Sequence, residues 1–427
     1  MEPYILSMAD LGDQTKKKEI KMTRNRSLTD RREFLQSGLL GLAGIGTAVT
    51  ARRVYAEDQD VEKKRTFIRR TLGKTGIELP VVSMGVMNAD NPGLVRAALD
   101  SGITLLDTAH GYQRGRNETM IGEVIKGRSR ESFVIATKVE GGGLDRKTGR
   151  FTERTNPDAF LERFETSLGR LGLEYVDILH LHSVVSKEAA LYEPITSVME
   201  SLKASGKTRH LGISTHRNEP EVIRAAAESK IYDVVLTAYN FRQPHVAEVE
   251  SAIAYAAKAG LGIIAMKTQA GGYWDRERQR PINMKAALKW VLGNENVHTA
   301  VPGFTTFDQM ELDLTVMEDL VLTPSERSDL ELTESLGDMG IFCPQCGSCL
   351  TQCGKGVDIP TLMRAYMYAY GYRNLAAAKD AVLSAVDSEL PCVGCSICTV
   401  KCASGFDVRR RLLNISRLST VPFDFLV

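Results

Sequence analysis

No cysteine precedes Cys343 in the 427-residue chain, so a disulfide framework is excluded for the larger part of the fold. The chain also lacks an excess of charge of one sign: 54 basic residues face 53 acidic ones, which gives no electrostatic footprint for nucleic acid. After one N-terminal stretch, no apolar run is long enough to span a bilayer. A composition of 43% hydrophobic and 25% charged residues predicts an ordinary folded chain of two or three domains.

The eight cysteines lie near the C-terminus in two runs of identical spacing, C-x2-C-x2-C-x3-C. In such a run three thiolates bind one [4Fe-4S] cluster, and the fourth reaches a second cluster. Structural zinc usually needs two separated pairs, and a disulfide framework would not repeat one run; both remain as alternatives. The sequence therefore predicts two [4Fe-4S] clusters with crossed ligand sets, which are Cys343, Cys346, Cys349 and Cys402, and Cys392, Cys395, Cys398 and Cys353.

Residues 1–60 are predicted to be a signal peptide and linker outside the fold. A basic, polar beginning leads to Arg31-Arg32 and Phe34-Leu35, and a Gly- and Ala-rich apolar run follows. Val54-Tyr55-Ala56 has small residues where a signal peptidase cleaves. The segment resembles a twin-arginine export signal, which implies an exported or periplasmic protein that folds around its cofactors before transport. The alternative is a chance arginine pair before a membrane anchor.

Between Thr66 and about Val321 short apolar strands alternate with amphipathic helical stretches. Eight alternations over about 250 residues predict an α/β fold, a (β/α)8 TIM barrel at residues 66–322. A doubly wound open sheet is the alternative, but it would need a Gly-rich phosphate turn after the first strand. The predicted strands are Val81–Gly85, Thr104–Ala109, Phe133–Val139, Val176–Ser183, His210–Thr215, Val234–Asn240, Gly262–Thr268 and Thr299–Gly303. Predicted helices include Pro157–Leu171, Glu219–Ser229, Val246–Ala259 and Met284–Leu292.

Three consecutive apolar strands carry ionisable residues at their carboxyl ends. These residues are Asp107, Lys138 and His182, and Tyr112 follows Asp107 in the loop over the same rim. A buried, unpaired charge is costly, and this rim is where barrel enzymes hold their catalytic groups. The four residues together favour an active site over the alternative of a structural ion pair beside a core histidine. His180, on the same side of its strand as His182, is predicted to pack deeper.

The region from Phe67 to Leu320 resembles the aldo-keto reductase family. The resemblance is carried by a series of short motifs in the family's order. They are Leu106-Asp107-Thr108-Ala109-His110-Gly111-Tyr112, Asn117-Glu118, Ala136-Thr137-Lys138, Tyr175-Val176-Asp177 with His182 beyond it, Gly206-Lys207-Thr208-Arg209 before Gly212-Ile213-Ser214, and Pro302-Gly303. Together with the cysteine runs, Lys267 and Gly271-Gly272 resemble an iron-sulfur subfamily of these reductases.

The resemblance implies hydride transfer between NADP or NAD and a small-molecule carbonyl or alcohol substrate. It assigns catalysis to Asp107, Tyr112, Lys138 and His182. Tyr112 would exchange the proton, Lys138 would lower the pKa of the phenol, Asp107 would hold the lysine, and His182 would orient the carbonyl. The implied cofactor-binding positions are Gly85, Ser214, Lys267, Gly303, Thr305 and Gln309.

Several cofactor positions depart from the family pattern. Thr215 replaces an asparagine and Leu236 replaces a glutamine, the two side chains that normally hold the nicotinamide carboxamide. The stretch 265–268 lacks the tyrosine that usually stacks on the ring. No Arg or Lys follows Gly303 to meet a 2′-phosphate, so NADP and NAD both remain open.

Residues 323–427 are predicted to form a small α-helical ferredoxin-like domain with the two clusters. Thr323-Pro324-Ser325-Glu326 predicts a helix to about Leu336 with Ser325 as its cap. Ile359–Leu383, between the cysteine runs, is rich in Met, Tyr and Ala and predicts helix. Its alternate tyrosines, Tyr366 to Tyr372, are predicted to form a helical packing face.

Two functions follow from these patterns. One is a carbonyl or alcohol oxidoreductase coupled to the clusters, with an electron-transfer partner. The other is an iron-sulfur electron-transfer protein whose barrel has lost nicotinamide binding, because fold alone does not decide function. A hydride carries two electrons whereas each cluster moves one, so the first function needs a flavin or radical step. No flavin motif is visible in the sequence.

Overall fold

A computed structural model describes residues 65–426, except 146, 276, 332–339 and 387–389. The predicted export signal lies outside these residues and stays a prediction. The strands in chain order are β1 (Arg69–Thr71), β2 (Glu78–Pro80), β3 (Met84–Gly85), β4 (Leu105–Asp107), β5 (Val134–Val139), β6 (Leu144–Asp145), β7 (Arg150–Phe151), β8 (Val176–Leu181), β9 (Thr208–Thr215), β10 (Val234–Ala238), β11 (Gly262–Met266) and β12 (Thr299–Ala300).

Eight of these strands form one parallel sheet in the order β3, β4, β5, β8, β9, β10, β11, β12. A parallel bridge between Val82 and Ala300 joins the first end of the sheet to the last. The closed sheet confirms the predicted (β/α)8 barrel and excludes the open doubly wound sheet. β1 and β2 form an antiparallel hairpin before the barrel, and β6 and β7 form another inside the loop after β5.

The helices are α1 (Pro92–Asp100), α2 (Arg116–Ile125), α3 (Pro157–Leu171), α4 (Lys187–Ala190), α5 (Glu193–Ala204), α6 (Glu219–Ser229), α7 (Val246–Lys258), α8 (Met284–Leu292), α9 (Phe307–Val316), α10 (Pro324–Glu331), α11 (Ile359–Tyr370), α12 (Leu375–Ala385) and α13 (Val408–Ile415). Three predicted helices, α3, α6 and α8, have the bounds expected from the sequence. In α3 the apolar residues Phe160, Phe164 and Leu168 recur every four residues, and all three are buried.

Helix α10 begins with a capping box whose first residue lies two residues before the predicted cap. The Thr323 hydroxyl accepts from the Glu326 N–H at 3.1 Å, and the Glu326 carboxylate accepts from the Thr323 N–H at 2.9 Å. Thr323 is therefore the cap, and the prediction of Ser325 was wrong. Pro324 fits the first helical position because that N–H needs no intrahelical partner. The predicted helix end near Leu336 lies outside the described residues.

Two helices, α11 and α12, lie between the cysteine runs, as the composition of that segment predicted. The tyrosines there form two pairs rather than one packing face. The rings of Tyr366 and Tyr370 are 4.5 Å apart, and those of Tyr368 and Tyr372 are 5.7 Å apart. Tyr366 is buried in the C-terminal core, whereas Tyr368 packs against a cluster that includes barrel residues. The assignment of this region as ferredoxin-like stays a prediction.

The C-terminal region packs directly on the barrel. Phe342 and Met367 share one apolar cluster with Trp274, which follows β11. A buried ion pair joins Arg217, after β9, to Asp358, the N-terminal cap of α11, with 3.2 Å between Nη1 and Oδ1. Residues 64–427 accordingly form a single contact unit. The predicted boundary between domains 66–322 and 323–427 stays a prediction.

Within the described ranges, no helix combines the length and apolarity that a membrane crossing requires.

Candidate active site

Four ionisable side chains meet at the carboxyl ends of β4, β5 and β8. Asp107 is the last residue of β4, Lys138 lies one residue before the end of β5, and His182 directly follows β8. Tyr112 begins a short 3-10 turn, Tyr112–Gly115, in the loop after β4. Parallel strands that are neighbours in a barrel bring their carboxyl ends to one rim, which is why residues far apart in sequence come together.

Lys138 is the centre of this group. Its ammonium lies 2.7 Å from Asp107 Oδ2, 2.6 Å from the carbonyl oxygen of Thr108 and 3.3 Å from the Tyr112 hydroxyl. The rings of Tyr112 and His182 meet edge to face, with their centroids 6.0 Å apart. Lys138 is 1% exposed, so its charge is held by these partners rather than by water. The structure thus brings together all four catalytic residues expected from the resemblance.

Burial controls the protonation of these groups. It raises the pKa of Asp107 and lowers the pKa of Lys138, and the attraction between the two opposes both shifts. The pKa of Tyr112 lies well above its ordinary value, first because of burial and then because of the Asp107 charge and Tyr368. The expectation that Lys138 lowers this pKa is therefore not met in the protein without ligands. Tyr112 is a protonated phenol at neutral pH, the form that can donate a proton.

Several buried polar residues form hydrogen bonds that hold the backbone of the site in place. No role was predicted for them from the sequence. Thr108 donates to Asn117 Oδ1 at 2.7 Å, and Thr137 donates to Glu118 Oε1 at 2.7 Å. The other Glu118 oxygen accepts from Arg170 at 3.2 Å. Thr108 follows Asp107 and Thr137 precedes Lys138, so these bonds fix the backbone that carries the two expected catalytic residues. These hydrogen bonds could not be predicted from the sequence, because each joins residues of separate secondary-structure elements.

His180 lies deeper in the barrel, as predicted. In β8 it pairs with Lys138 on one side and Gly212 on the other. A Cβ atom at Gly212 would lie 2.3 Å from His180 Nδ1, so the ring requires glycine there. Neither ring nitrogen has a hydrogen-bond partner among the described residues. Burial, followed by the Lys138 charge, lowers the pKa of His180 to about 3, so the ring is neutral.

The expected cofactor positions fall into separate groups along the rim. Gly85 and Gly303 are adjacent: a Cβ at Gly303 would lie 3.6 Å from the Gly85 carbonyl oxygen, and one at Gly85 only 2.7 Å from that of Val301. Thr305 donates its N–H to Gln309 Oε1 at 2.8 Å at the exposed start of α9. The Ser214 hydroxyl accepts the N–H of Ser183 at 2.9 Å.

Lys267, the last of these positions, lines a pocket between the rim and the C-terminal region. The pocket has about 310 Å³ of empty space. Its barrel side includes His216, Ala238 and Lys267, at the ends of β9, β10 and β11, and its other side includes Cys343, Gln345 and Met367. Met367 was missed as a site residue because the helical pattern of α11 does not show which surface the helix covers.

The cysteine runs form two groups of neighbouring thiols. All eight are free thiols. Burial, followed by the charges of Cys343, Cys346 and Cys402, raises the pKa of Cys349 to about 12. Burial, followed by the charges of Cys353, Cys395 and Cys398, likewise raises the pKa of Cys392 to about 11. The first group also lines a recess with about 350 Å³ of empty space.

Gln352 connects the two runs. Its side-chain amide donates to the carbonyl oxygen of Lys401 at 3.1 Å and accepts the Lys401 N–H at 2.7 Å. The Thr399 hydroxyl donates to the Gln352 carbonyl oxygen at 2.7 Å. Across the part of the chain that the structure describes, three or more His, Cys, Asp or Glu side chains are nowhere close enough together to hold a metal ion.

Comparison with known proteins supports the assignment of a barrel fold. A model of the aldo/keto reductase family matches residues 85–286. Aldo-keto reductase YhdN of Bacillus subtilis is 36% identical over 135 residues, covering 31% of this chain and 39% of the relative. These matches show that part of the barrel is similar to aldo/keto reductases. The segments matched in the first three curated relatives span about half of their length or less.

Two further matches cover more of the matched protein's length, at lower sequence identity. L-glyceraldehyde 3-phosphate reductase of Escherichia coli O157:H7 is 24% identical over 331 residues, covering 64% of this chain and 94% of the relative. The solved aldo-keto reductase AKR11C1 from Bacillus halodurans, in its holo form, superposes with a TM-score of 0.50 at 24% identity. That match covers 63% of this chain and 96% of the solved one. This structural likeness supports the fold.

Replacing His180 should flatten the dependence of stability on pH. The unfolded chain binds a proton below the ordinary histidine pKa of 6.5, whereas folded His180 does so only near 3. The free energy of unfolding therefore falls as the pH falls from 6.5 towards 3, by up to about 1.4 kcal/mol per pH unit. Urea unfolding at pH 7 and pH 5 should show a loss about 2 kcal/mol smaller in His180→Leu than in the wild type.

His245→Gln is the matched control. Glu219 raises the pKa of His245, so this histidine stabilises the fold at low pH and its removal should steepen the loss. Equal pH slopes in the wild type and His180→Leu would contradict the burial of a neutral ring.

Proposed function

We propose that the chain is an oxidoreductase of the aldo/keto reductase type that interconverts a small carbonyl compound and its alcohol. The observation that carries the proposal is the buried Lys138, whose ammonium bonds Asp107 and lies 3.3 Å from the Tyr112 hydroxyl. A carbonyl that accepts hydride develops negative charge on oxygen and needs a proton. A protonated phenol held beside a fixed cation can supply it.

Each residue has a part in this chemistry. Tyr112 donates its proton to the carbonyl oxygen during reduction and accepts it back during alcohol oxidation. Lys138 stabilises the phenolate left behind, and Asp107 keeps the ammonium in place and charged. His182, whose ring meets that of Tyr112 edge to face, orients the carbonyl oxygen. The four groups surround one position, so the substrate oxygen would be bound where charge develops.

A nicotinamide nucleotide, NADP or NAD, supplies the hydride in this proposal. Gly85 and Gly303 fit such a group, because they leave the backbone beside the site free of side chains. Thr305 and Gln309, exposed at the start of α9, are the proposed contacts for the far end of the nucleotide.

Replacing Tyr112 with Phe should abolish most of the carbonyl reduction while leaving ligand affinity nearly unchanged. The hydroxyl acts in the transition state, so its loss appears in kcat, by about a hundredfold to ten-thousandfold. Lys138→Met should have a similar effect, because the phenolate would lose its stabilising cation. Steady-state kinetics on a panel of aldehydes and ketones, with nucleotide affinity measured by titration, gives the comparison.

Tyr255→Phe serves as the control, since this tyrosine is exposed on α7, away from the rim. A Tyr112→Phe enzyme as active as the wild type on the same carbonyl would refute the assignment. Circular dichroism of each variant separates a catalytic defect from misfolding.

The two cysteine groups are proposed to hold two [4Fe-4S] clusters with crossed ligation. Charge interactions between thiols support these sets: Cys349 interacts with Cys343, Cys346 and Cys402, and Cys392 interacts with Cys353, Cys395 and Cys398. Four thiols with no imidazole or carboxylate among them suit iron-sulfur binding. Their raised pKa values belong to the metal-free protein, because metal binding displaces thiol protons. The clusters would move single electrons to or from a protein partner.

Anaerobically isolated protein should contain about eight iron and eight sulfide per chain. Cys402→Ala should remove mainly the cluster of the first group, and Cys353→Ala mainly that of the second. Iron and sulfide analysis with electron paramagnetic resonance of the reduced protein distinguishes the two losses. Zinc in place of iron in the wild type would refute the cluster proposal, and identical spectra in the two variants would refute crossed ligation.

A second candidate function is electron transfer on a barrel without nicotinamide binding. The observation in its favour is that the C-terminal region covers the ends of β9–β11, where Thr215 and Leu236 already depart from the family pattern. Anaerobic purification followed by cofactor extraction discriminates between the functions, because it measures iron, flavin and nucleotide together.

Export by the twin-arginine route is proposed on the sequence of residues 1–60. Replacing Arg31 and Arg32 with Lys should leave the protein in the cytoplasm with its metal content unchanged, because this route accepts folded, cofactor-loaded proteins. Cell fractionation with metal analysis measures the effect. Unchanged export of the Lys-Lys variant would show that the arginine pair is not a signal.

A further inference from the structure

The short turn that carries Tyr112 has a strained backbone. Within Tyr112–Gly115, Gln113 has a φ of 50° and Arg114 a φ of 58°, both in the left-handed region. Residues other than glycine seldom adopt this conformation, because the Cβ atom approaches the following carbonyl oxygen. Two successive residues of this kind persist only where surrounding contacts hold them. The position of the Tyr112 phenol therefore depends on what holds Gln113 and Arg114.

The two strained residues are held from different sides. Gln113 donates through Nε2 to the carbonyl oxygens of Met87 at 3.2 Å and Ala89 at 3.0 Å, in the loop after β3. Arg114 instead faces the C-terminal region, where its guanidinium carbon lies 4.3 Å from the centre of the Phe423 ring. A cation at this distance from an aromatic face is attracted to it. The C-terminal region thus contributes a contact of its own to the Tyr112 turn.

Phe423 is itself held in place by α12. The ammonium of Lys379 lies 4.6 Å from the centre of the same ring, and it donates to the carbonyl oxygen of Val421. Burial raises the pKa of Asp380, the next residue of α12, and the charges of Arg114 and Lys379 oppose that shift. Both cations therefore lie near the Asp380 carboxylate as well as over the Phe423 ring.

Helix α12 is in turn joined to the rim of the barrel. Asn374, the N-terminal cap of α12, donates through Nδ2 to Asn88 Oδ1 at 2.8 Å. Asn88 lies in the loop after β3, the same loop whose carbonyl oxygens bind the Gln113 side chain. The Tyr112 turn and α12 are therefore fixed to one loop of the barrel, and Phe423 closes the path between them.

We propose that Phe423 is a positioning residue for catalysis, whose ring holds Arg114 in the conformation that places the Tyr112 hydroxyl beside Lys138. The inference rests on the proposed role of Tyr112 as proton donor and adds to it a residue from outside the barrel. Phe423 acts through Arg114 and not on the substrate. Without the ring, the strained turn relaxes and the hydroxyl moves away from the position where the carbonyl oxygen develops charge.

The experiment compares Phe423→Leu with the wild type in the full chain. Hydrogen exchange with mass spectrometry follows the amides of Tyr112 and Arg114, which donate to the carbonyl oxygens of Ala109 and Gly111. Their exchange should become at least about threefold faster, because the turn opens more often. On the aldehyde or ketone that the wild type reduces fastest, kcat should fall by about threefold to tenfold with KM nearly unchanged, because a small displacement of the hydroxyl suffices.

Phe425→Leu is the matched control, since this ring lies in the same short turn, Phe423–Phe425, but is 79% exposed. It should change neither the exchange nor kcat. Phe423→Tyr keeps the aromatic face and should retain the exchange rate and kcat of the wild type.

Two variants of Arg114 complete the design. Arg114→Met removes the cation from the exposed side of the contact and should have the effect of Phe423→Leu, so the test does not depend on one variant folding. Arg114→Gly also removes the cation but leaves the left-handed backbone accessible. In the Arg114→Gly background, Phe423→Leu should cause no further loss of kcat, because the two residues act as a pair.

Four results would overturn the inference, each with its own meaning. Unchanged exchange in Phe423→Leu and Arg114→Met shows that the contact does not hold the turn. Faster exchange with unchanged kcat shows that the held conformation is not needed for catalysis, while the proposed function stands. An equal loss of kcat from Phe423→Leu in the Arg114→Gly background shows that Phe423 acts on the fold at large. A wild type that reduces no carbonyl refutes the proposed function, and the catalytic role of Phe423 with it.

Discussion

A lysine charge inside the barrel is the constraint on which the site depends. Lys138 is almost fully buried, and an ammonium removed from water must be compensated by charge and hydrogen bonds. Asp107, the Thr108 carbonyl and the Tyr112 hydroxyl provide that compensation, and each comes from the neighbouring β4 segment. The need to neutralise one charge therefore fixes the relative positions of two strands and a loop. The proposed chemistry at this rim would therefore use the same arrangement of side chains that compensates the buried Lys138 charge.

The second constraint is that two parts of the chain, the barrel loops and the C-terminal region, share the rim of the barrel. The C-terminal region reaches over the ends of β9–β11 and is anchored there by the Arg217–Asp358 pair and by Phe342 and Met367. In an ordinary barrel the loops after the strands build the binding surface. Here a later segment supplies part of it, so the properties of the pocket follow from two parts of the chain that lie far apart in sequence. Such a site can couple the state of the cysteine groups to events in the barrel.

The sequence contained the barrel and the four-residue site because both follow from local patterns. Apolar strands alternating with amphipathic helices predict the closed sheet, and titratable residues at strand ends point to one rim. The features that could not be predicted from the sequence depend on contacts between elements that lie far apart along the chain. The surface covered by α11, the bonds of Asn117 and Glu118, and the high pKa of Tyr112 all depend on which elements meet. The cap at Thr323 was missed for a different reason: Pro324 occupies the first helical position and moves the cap one residue before it.

The contacts of Gln352 have a consequence for how the protein matures. One side chain joins the two cysteine runs, and in the proposed arrangement each cluster takes its fourth ligand from the other run. Neither metal centre can then be completed by its own segment. In that arrangement, loss of one run would remove three ligands of one proposed cluster and the fourth ligand of the other. A chain in which one run has not folded would therefore leave thiols of both proposed metal centres without their partners.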